Sequence, residues 1–372
     1  MPPTSDTLSP DEVREALRGD LAEAPGIAEV RRLRAAGAEN AAALAGFDRD
    51  RWATLAQRGL AAMGAPEEWD GLGMGAGHLV TAVEECGASL HPGPVRATQL
   101  LTWSLTGVSP NAVSAPLTTA IAGVLGGELV AGLADDRPVR AAFADDAVTG
   151  VLSAVTHGAV ADVVVAVVDT PQGPAAALIL VDGGIRQDRE ALDLATPRAD
   201  VSVTGAPAVL LTQPADPTAL ETWRTRSRLL LAAEQVGGAQ ACLTAMVAYT
   251  QIREQFGVLI GTYQAIQHLC SRTAIDVVGA RALVVATAAA LDGEDPQAHV
   301  LGRLAAATAG DTFLTASSSF IRLSGGIGFT WEHDAHLFFR RARASAAADV
   351  SPEQQRHAAV EAGCLDLLTA TA

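Results

Sequence analysis

The chain has 372 residues, of which 26 are lysine or arginine and 42 are aspartate or glutamate, so its net charge is −16. Such an acidic surface repels a phosphate backbone, which argues against nucleic acid as a partner. The sequence has no charge-free run of about 18 strongly apolar residues and no basic-then-apolar start. Neither membrane insertion nor export is therefore predicted, and the cytoplasm is the expected location.

The cysteines lie far apart in the sequence and form no C-x-x-C pair. This spacing predicts neither a disulfide framework nor a zinc site, so the cysteines are expected to be reduced core residues. The histidines also lack metal-ligand spacing. No metal is therefore expected.

Hydrophobic periodicity divides the chain into three parts. Residues 1–127 have a helical period, with Asp11 and Asp48 as predicted helix N-caps. Residues 128–215 change to a period of two, with short β-branched runs such as DVVVAVVDT bounded by Gly, Pro and Asp, which predicts an antiparallel β-barrel or sandwich. No helix of useful length fits between these runs, so a parallel Rossmann sheet is disfavoured.

Residues 216–372 return to a helical period. Because the segments are long and the loops short, they predict an antiparallel, four-helix-bundle-like domain. The predicted fold class is therefore α+β multidomain: an N-terminal α-helical domain, a middle antiparallel β-barrel or sandwich, and a C-terminal helical bundle. The predicted helices of the last part cover residues 219–252, 263–291, 297–323 and 332–347, with another after Pro352.

Two stretches between these helices have unusual composition. One reads REQFGVLIGTYQ and begins at Arg253; the other reads IRLSGGIGFTWEHD and contains Gly325 and Gly326. A glycine pair lets the backbone approach a bulky group and exposes N–H donors, which suits a pyrophosphate. The alternative is a glycine-terminated helix followed by a turn, because short motifs have many false positives.

These stretches, together with the order of the domains, resemble the acyl-CoA dehydrogenase family over nearly the whole chain. The N-terminal GLAAMGAPEEWDGLGMG and the mid-chain AVTHGAVADVVVAV resemble two further family segments. The ending GGIGFTWEHD is typical of an actinobacterial branch that acts on bulky CoA thioesters such as steroid side chains. The resemblance implies the acyl-CoA dehydrogenase fold and FAD bound across a subunit interface.

The resemblance also implies individual roles at the flavin. Arg253 matches the arginine that pairs with the FAD diphosphate, a role suited to a planar fork that is always charged. In the β domain, Thr156 matches the hydroxyl that contacts the flavin ring. The remaining matches at the nucleotide end are Gln255, Phe256, Gln264, Gly325 and Gly326.

Several family positions differ in this chain. Arg322 replaces a usual glutamine before the glycine pair, and Ser324 replaces a frequent histidine. Ala154 stands where a tryptophan normally lies near the ring, and LVAGLADDR replaces a Thr-Glu segment at the ring's reactive edge. The residues at the nucleotide end of the site thus match the family pattern better than those at the flavin-ring end.

Desaturation of an acyl thioester next to its carbonyl needs a carboxylate to remove the α proton and a flavin to accept the hydride. One family position for the glutamate base, 26 residues before Arg253, is Ser227, which cannot act as a base. The other, six residues after Arg343, is Asp349, which is therefore the candidate catalytic base; the alternative is that it caps the next helix. Arg228 matches an arginine that supports the catalytic loop, with a possible role at the substrate.

Three functions are consistent with these residues. The chain could be a self-sufficient dehydrogenase that uses Asp349. It could be one subunit of a dimer or tetramer with a homologous acyl-CoA dehydrogenase, whose FAD it helps to bind and which supplies the base. It could also be a non-redox biosynthetic protein, with an altered or empty flavin pocket, for an acyl-CoA or a carrier-bound acyl thioester. The family residues are missing at the flavin ring and at the base position but present at the nucleotide end. This difference favours the second function, in which both subunits serve lipid or steroid metabolism.

Overall fold

A computed structural model describes residues 8–23, 26–35, 46–134, 140–347 and 350–365 of the chain. The first part is helical, as predicted. Asp48 caps its helix by accepting hydrogen bonds from the backbone N–H groups of Asp50 and Arg51. The described helices of this part are α1 (Pro10–Glu23), α2 (Gly26–Ala35), α3 (Arg49–Gln57), α4 (Ala76–Ala88), α5 (Val95–Ser104) and α6 (Ala115–Leu125).

The prediction of Asp11 as a helix cap is wrong. Helix α1 begins one residue earlier, at Pro10, and Ser9 takes the capping position. The Ser9 hydroxyl accepts a hydrogen bond from the Glu12 N–H at 3.3 Å, and the Glu12 carboxylate accepts one from the Ser9 N–H at 2.7 Å. Asp11 instead forms an ion pair with Arg14, one turn further along the helix.

The middle part is a seven-stranded sheet that closes into a barrel-like layer through extra pairings between β1 and β4 and between β3 and β7. Most pairs are antiparallel, as predicted, but β1 runs parallel to β4. The described strands are β1 (Ala131–Leu133), β2 (Arg140–Ala144), β3 (Ala147–Thr156), β4 (Val163–Thr170), β5 (Gly173–Leu180), β6 (Ile185–Arg189) and β7 (Arg198–Leu210).

Strand β4 shows how the sheet joins the helices. Its residues 163–168 are all buried, so they lack the one-sided alternation of a surface strand. Val163 and Val165 belong to the core shared with the helices, whereas Val164 and Val168 belong to the core inside the barrel. Because successive side chains of a strand point to opposite faces, one strand stabilises both cores.

The third part is a bundle of long helices whose ends agree with the predicted ones to within about three residues. A two-stranded hairpin, β8 (Glu254–Gln255) and β9 (Val258–Leu259), follows the first of them. The bundle helices are α7 (Pro217–Thr250), α8 (Gln264–Asp292), α9 (Ala298–Ser324), α10 (Ala335–Ala346) and α11 (Pro352–Glu361).

Helices α4 and α7 cross with their backbones almost in contact. A Cβ atom at Gly237 would lie 1.9 Å from the carbonyl oxygen of Glu84, and one at Gly87 would lie 2.3 Å from the carbonyl oxygen of Glu234. Only residues without a side chain fit at these two positions. The glycines therefore fix how the first part of the chain lies on the bundle.

Helix α8 is long and apolar enough to cross a membrane by length and composition. One face of this helix packs into the bundle, and Arg281 forms a 2.8 Å ion pair with Glu84. Its opposite face is exposed. Along the sequence, the residues of that face lie four and three positions apart in turn, as in a coiled-coil seam. These residues are Ser271, Ile275, Val278, Ala282, Val285 and Ala289.

Replacement of Gly237 by alanine tests the close crossing. The added methyl group has to push α4 away from α7, so the expected loss of unfolding free energy in urea is about 1–3 kcal/mol. A Cβ at Gly19 of α1 would meet nothing within 4 Å. Gly19→Ala is therefore the control and is expected to be neutral or stabilising by up to about 1 kcal/mol. Equal effects of the two substitutions would contradict the crossing.

Candidate functional site

The two unusual stretches of sequence lie at the same end of the bundle. Helices α7 and α9 run in one direction and α8 in the other, so the hairpin after α7 and the glycine loop after α9 (residues 325–329) are neighbours. His333 connects them: its ring centroid lies 6.4 Å from that of Tyr249 on α7 and 5.2 Å from that of Phe320 on α9. We call this region the nucleotide end, because the sequence predicts its contacts with a diphosphate.

Polar groups at the nucleotide end are open to solvent. Arg253 is exposed, and its guanidinium has no ion-pair partner among the described residues. Arg322, which differs from the family pattern, is exposed beside the glycine loop and adds a second positive charge. Gln255 in the hairpin and Gln264, the first residue of α8, are also exposed. These residues leave donors available to a molecule outside the chain.

The glycine pair is not required by packing within the chain. Gly325 has a φ of +68°, which favours glycine, but a Cβ at Gly325 or Gly326 would meet nothing within 4 Å. Both residues are exposed. The open backbone can therefore be approached closely by another molecule.

Large apolar side chains surround these polar groups. Phe256, at the tip of the hairpin, is 95% exposed. Exposed apolar clusters of this kind mark sites of association. The other members of this apolar rim are Ile252, Val258, Leu259, Ile327 and Phe329.

The pocket beside Thr156 is small in comparison. The Thr156 hydroxyl accepts a hydrogen bond from the Leu133 N–H at 3.1 Å and donates one to the Leu133 carbonyl oxygen at 3.3 Å. Next to it is a cavity of about 40 Å³, whose lining includes His91, His157 and Glu234. Ligand pockets generally measure about 300–1,000 Å³. This cavity therefore has room for a few water molecules and not for a tricyclic ring.

A buried ion-pair network lies against this cavity, and the sequence did not reveal it. Arg341 of α10 pairs with Asp193 of the β6–β7 loop and with Glu234 of α7, and Arg96 of α5 lies 3.4 Å from Glu234. Glu234 follows Ser227 by seven residues, or about two helical turns, on the same face of α7. The sequence signal for this network is a charged residue, Glu234, within the apolar run LLLAAEQVGGA.

Two buried histidines also line the cavity. Burial, helped by the nearby Arg341 and Arg51 charges, lowers the pKa of His91 to about 3. Burial also lowers the pKa of His157 to about 4, although its hydrogen bond to the Pro92 carbonyl oxygen acts in the opposite direction. Both imidazoles are therefore neutral at physiological pH.

Arg228 is buried and forms an ion pair with Glu221 at 2.9 Å. Glu221 also pairs with Arg303 of α9 at 2.7 Å. Burial by itself raises the pKa of Glu221, but the two guanidinium groups bring it below the usual value. Arg228 is thus engaged within the bundle, and its contact with a substrate stays a prediction.

Asp349, the candidate base, lies outside the described residues. The alternative role considered for it, capping of the following helix, is performed by Ser351. The Ser351 hydroxyl accepts a hydrogen bond from the Gln354 N–H, and the Gln354 side chain accepts one from the Ser351 N–H, which completes a capping box.

Metal-binding groups are not found in the described ranges: no three His, Cys, Asp or Glu side chains there are placed to hold an ion. The thiols of Cys86, Cys242, Cys270 and Cys364 are free.

Comparison with known proteins identifies the family. The model of the acyl-CoA dehydrogenase C-terminal domain matches residues 218–362, and that of the N-terminal domain matches residues 26–106. Acyl-CoA dehydrogenase IpdE2 of Mycobacterium tuberculosis is 31% identical over 83% of this chain and 85% of its own length. Acyl-CoA dehydrogenase FadE34 of the same organism is 33% identical over 79% of this chain, which spans 40% of FadE34. The chain belongs to the acyl-CoA dehydrogenase family.

Solved structures show the same fold. The steroid ACAD Tcur3481-Tcur3483 superposes with a TM-score of 0.82 at 22% identity, covering 98% of this chain and 99% of the other. The ChsE4-ChsE5 complex from Mycobacterium tuberculosis gives 0.80 at 23% identity, with coverages of 95% and 96%. The predicted three-part fold, with helical, β-sheet and helical regions, is confirmed. The cytoplasmic location stays a prediction.

The family binds FAD, and the two ends of this chain differ in how well they suit it. At the nucleotide end, the Arg253 guanidinium, which has no ion-pair partner in the described ranges, and the open glycine backbone suit a diphosphate. At the other end, the cavity of about 40 Å³ does not accommodate the flavin ring. The described residues therefore fit the nucleotide half of FAD and not its ring.

The buried histidines predict a loss of stability in mild acid. A histidine in the unfolded chain titrates near pH 6.5, so below this pH the unfolded state binds protons that the folded state does not. The unfolding free energy should fall by up to about 1.4 kcal/mol per pH unit for each histidine as the pH drops from about 6.5 toward 4.

Urea unfolding at a series of pH values measures this slope. His157→Asn suits the left-handed backbone of that residue, at φ +55°, and should make the slope shallower. A variant with the wild-type slope would show that the His157 pKa is not lowered.

Proposed function

We propose that this chain is one subunit of a heteromeric acyl-CoA dehydrogenase that desaturates a bulky, steroid-like acyl thioester. In the proposed complex it helps to bind the FAD of a homologous partner, and the partner supplies the catalytic base. The observation that carries the proposal is the contrast between an exposed nucleotide end and the small pocket, of about 40 Å³, beside Thr156.

Each group at the nucleotide end then has a task toward the partner's FAD. Arg253 pairs its planar guanidinium with the diphosphate. Gly325 and Gly326 let the adenosine diphosphate lie against the backbone. Gln255 and Gln264 offer amide groups beside it, and Phe256 inserts its exposed ring into the partner.

The exposed apolar surfaces support an assembly with a homologous chain. The rim surrounds the nucleotide end, and the seam runs along the exposed face of α8, which begins at that end. Apolar surface of this extent is normally covered in an oligomer. The fold neighbour ChsE4-ChsE5 is itself a complex, which makes a two-chain assembly a reasonable expectation for this chain.

The catalytic groups of the reaction are assigned mainly to the partner. Desaturation needs a carboxylate base and a bound flavin that accepts a hydride. The helix position of the base is Ser227 in this chain, and Glu234, two turns away, is already paired with two arginines. Arg228 remains a supporting residue of the bundle in this proposal.

The second candidate is a non-redox biosynthetic protein on the same scaffold. The small cavity beside Thr156 supports both candidates equally. Its size bears only on whether this chain holds a flavin ring itself, and not on whether it contacts the FAD of a partner. The candidates differ at the nucleotide end, which has no role without FAD. Flavin content of the chain, alone and after co-expression with a homologous neighbour, separates them.

Arg253→Ala is expected to lower the FAD occupancy of the co-expressed complex by about tenfold or more, because a charge-assisted contact to the diphosphate is lost. Visible flavin absorbance per mole of complex gives the occupancy. Arg140→Ala, at an exposed position of β2, is the control and should keep the wild-type content. Unchanged flavin in the Arg253 variant would remove that residue from the site.

Asp349→Asn separates the proposal from a self-sufficient enzyme. If the partner supplies the base, turnover of the complex should change by no more than about twofold, which is a small change in barrier. A loss of a hundredfold or more, with flavin content unchanged, would instead assign proton removal to Asp349. Steady-state rates and flavin absorbance of the same preparations distinguish these results.

A further inference from the structure

A second, much larger cleft lies at the opposite end of the bundle from the nucleotide end. Its volume is about 670 Å³, within the range of ligand pockets. It is formed by the start of α7, the end of α8, the start of α9 and the end of α5. None of the residues discussed for FAD lines it.

A half-buried cation, Arg226, lines this cleft and has no acidic partner among the described residues. The Arg226 guanidinium carbon lies 4.7 Å from the centre of the Trp103 ring, and its Nη1 donates to the Trp103 carbonyl oxygen at 3.3 Å. Its Nε is buried and has no hydrogen-bond partner in the part of the chain that the structure describes. Burial lowers the pKa of Arg226, and the Asp292 charge only partly offsets this effect.

Asp292 does not neutralise Arg226 by direct contact. Its carboxylate accepts a hydrogen bond from the Ala76 N–H at 2.9 Å, at the beginning of α4. No ion pair of Arg226 is found among the described residues. A partly desolvated charge with a buried, unbonded Nε destabilises the folded protein, and an anionic ligand would provide the missing partner.

The cleft also has apolar and hydrogen-bonding walls. Trp223 is 3% exposed, and its indole Nε1 lacks a partner among the described side chains and backbone groups. Leu211 and Leu291 contribute apolar surface, and Thr222 contributes a hydroxyl. The lining thus combines one cation, further donors and apolar area.

Acidic residues in the same cleft restrict the charge of the ligand. Asp216 caps α7, Asp295 accepts a hydrogen bond from the Gln297 N–H, and Glu294 is exposed beside them. A doubly charged phosphate would be repelled by these three carboxylates more strongly than a singly charged group. A single carboxylate on an apolar body is therefore the best match to the lining.

We propose that this cleft binds the carboxylate of an apolar organic acid, with Arg226 as the pairing cation. The carboxylate has two possible sources: a free acid, or the far end of an acyl thioester that carries an additional carboxyl group. The binding site does not depend on the function proposed above, because it involves neither FAD nor the partner's base.

Decanoate is the first probe, with decanamide as its neutral counterpart, and calorimetric titration into the purified chain measures binding. Decanoate should bind at least tenfold more tightly than decanamide. Arg226→Gln should remove this preference, whereas Arg226→Lys, which keeps the charge, should retain part of it. Arg224→Gln, on the opposite side of α7, is the matched control and should behave as wild type.

A second pair of probes identifies the source. If the site takes the far end of a thioester, ω-carboxydecanoyl-CoA should bind more tightly than decanoyl-CoA, and Arg226→Gln should abolish the difference. If the site takes a free acid, decanoate should bind without competing with decanoyl-CoA. Either result supports the carboxylate site. The proposal would be overturned if wild type and Arg226→Gln each bind the acids and their neutral analogues equally well. Thermal denaturation curves verify that both proteins are folded.

Discussion

The buried guanidinium of Arg341 is the interaction on which the arrangement of this chain depends. It is 3% exposed and joins a loop of the β-sheet region, through Asp193, to the bundle, through Glu234. Arg96 brings the first helical part to the same carboxylate. Removing one member of such a network leaves an uncompensated buried charge, so the intact network stabilises the packing of the three parts.

The same network accounts for the asymmetry of the site. Glu234 lies where α7 crosses α4 through the contacts at Gly87 and Gly237, and this crossing leaves little space beside Thr156. At the far end of α7, the hairpin and the glycine loop are not packed against any other element on their outer side. One helix thus has a small pocket beside its middle and an exposed end, and the proposed role toward a partner's FAD rests on this difference.

The sequence predicted the local features well because they depend on neighbours along the chain. The bundle helices, the Asp48 cap and the three-part order follow from periodicity and capping. The wrong prediction has a local cause too: Ser9, two residues before Asp11, is the cap of the first helix.

Features that depend on contacts between distant residues could not be predicted. The parallel pairing of β1 with β4 requires the barrel to close. Arg341 meets Asp193 and Glu234 across more than a hundred residues of sequence. The size of the cavity beside Thr156, and the cleft around Arg226, arise from packing that no short motif records.

The coiled-coil spacing on the outer face of α8 has a consequence for how the chain exists in a cell. A newly synthesised copy that no other chain covers would expose this apolar stripe to chaperones and proteases, which act on such surfaces. Its abundance would then follow the supply of whichever chain covers that stripe.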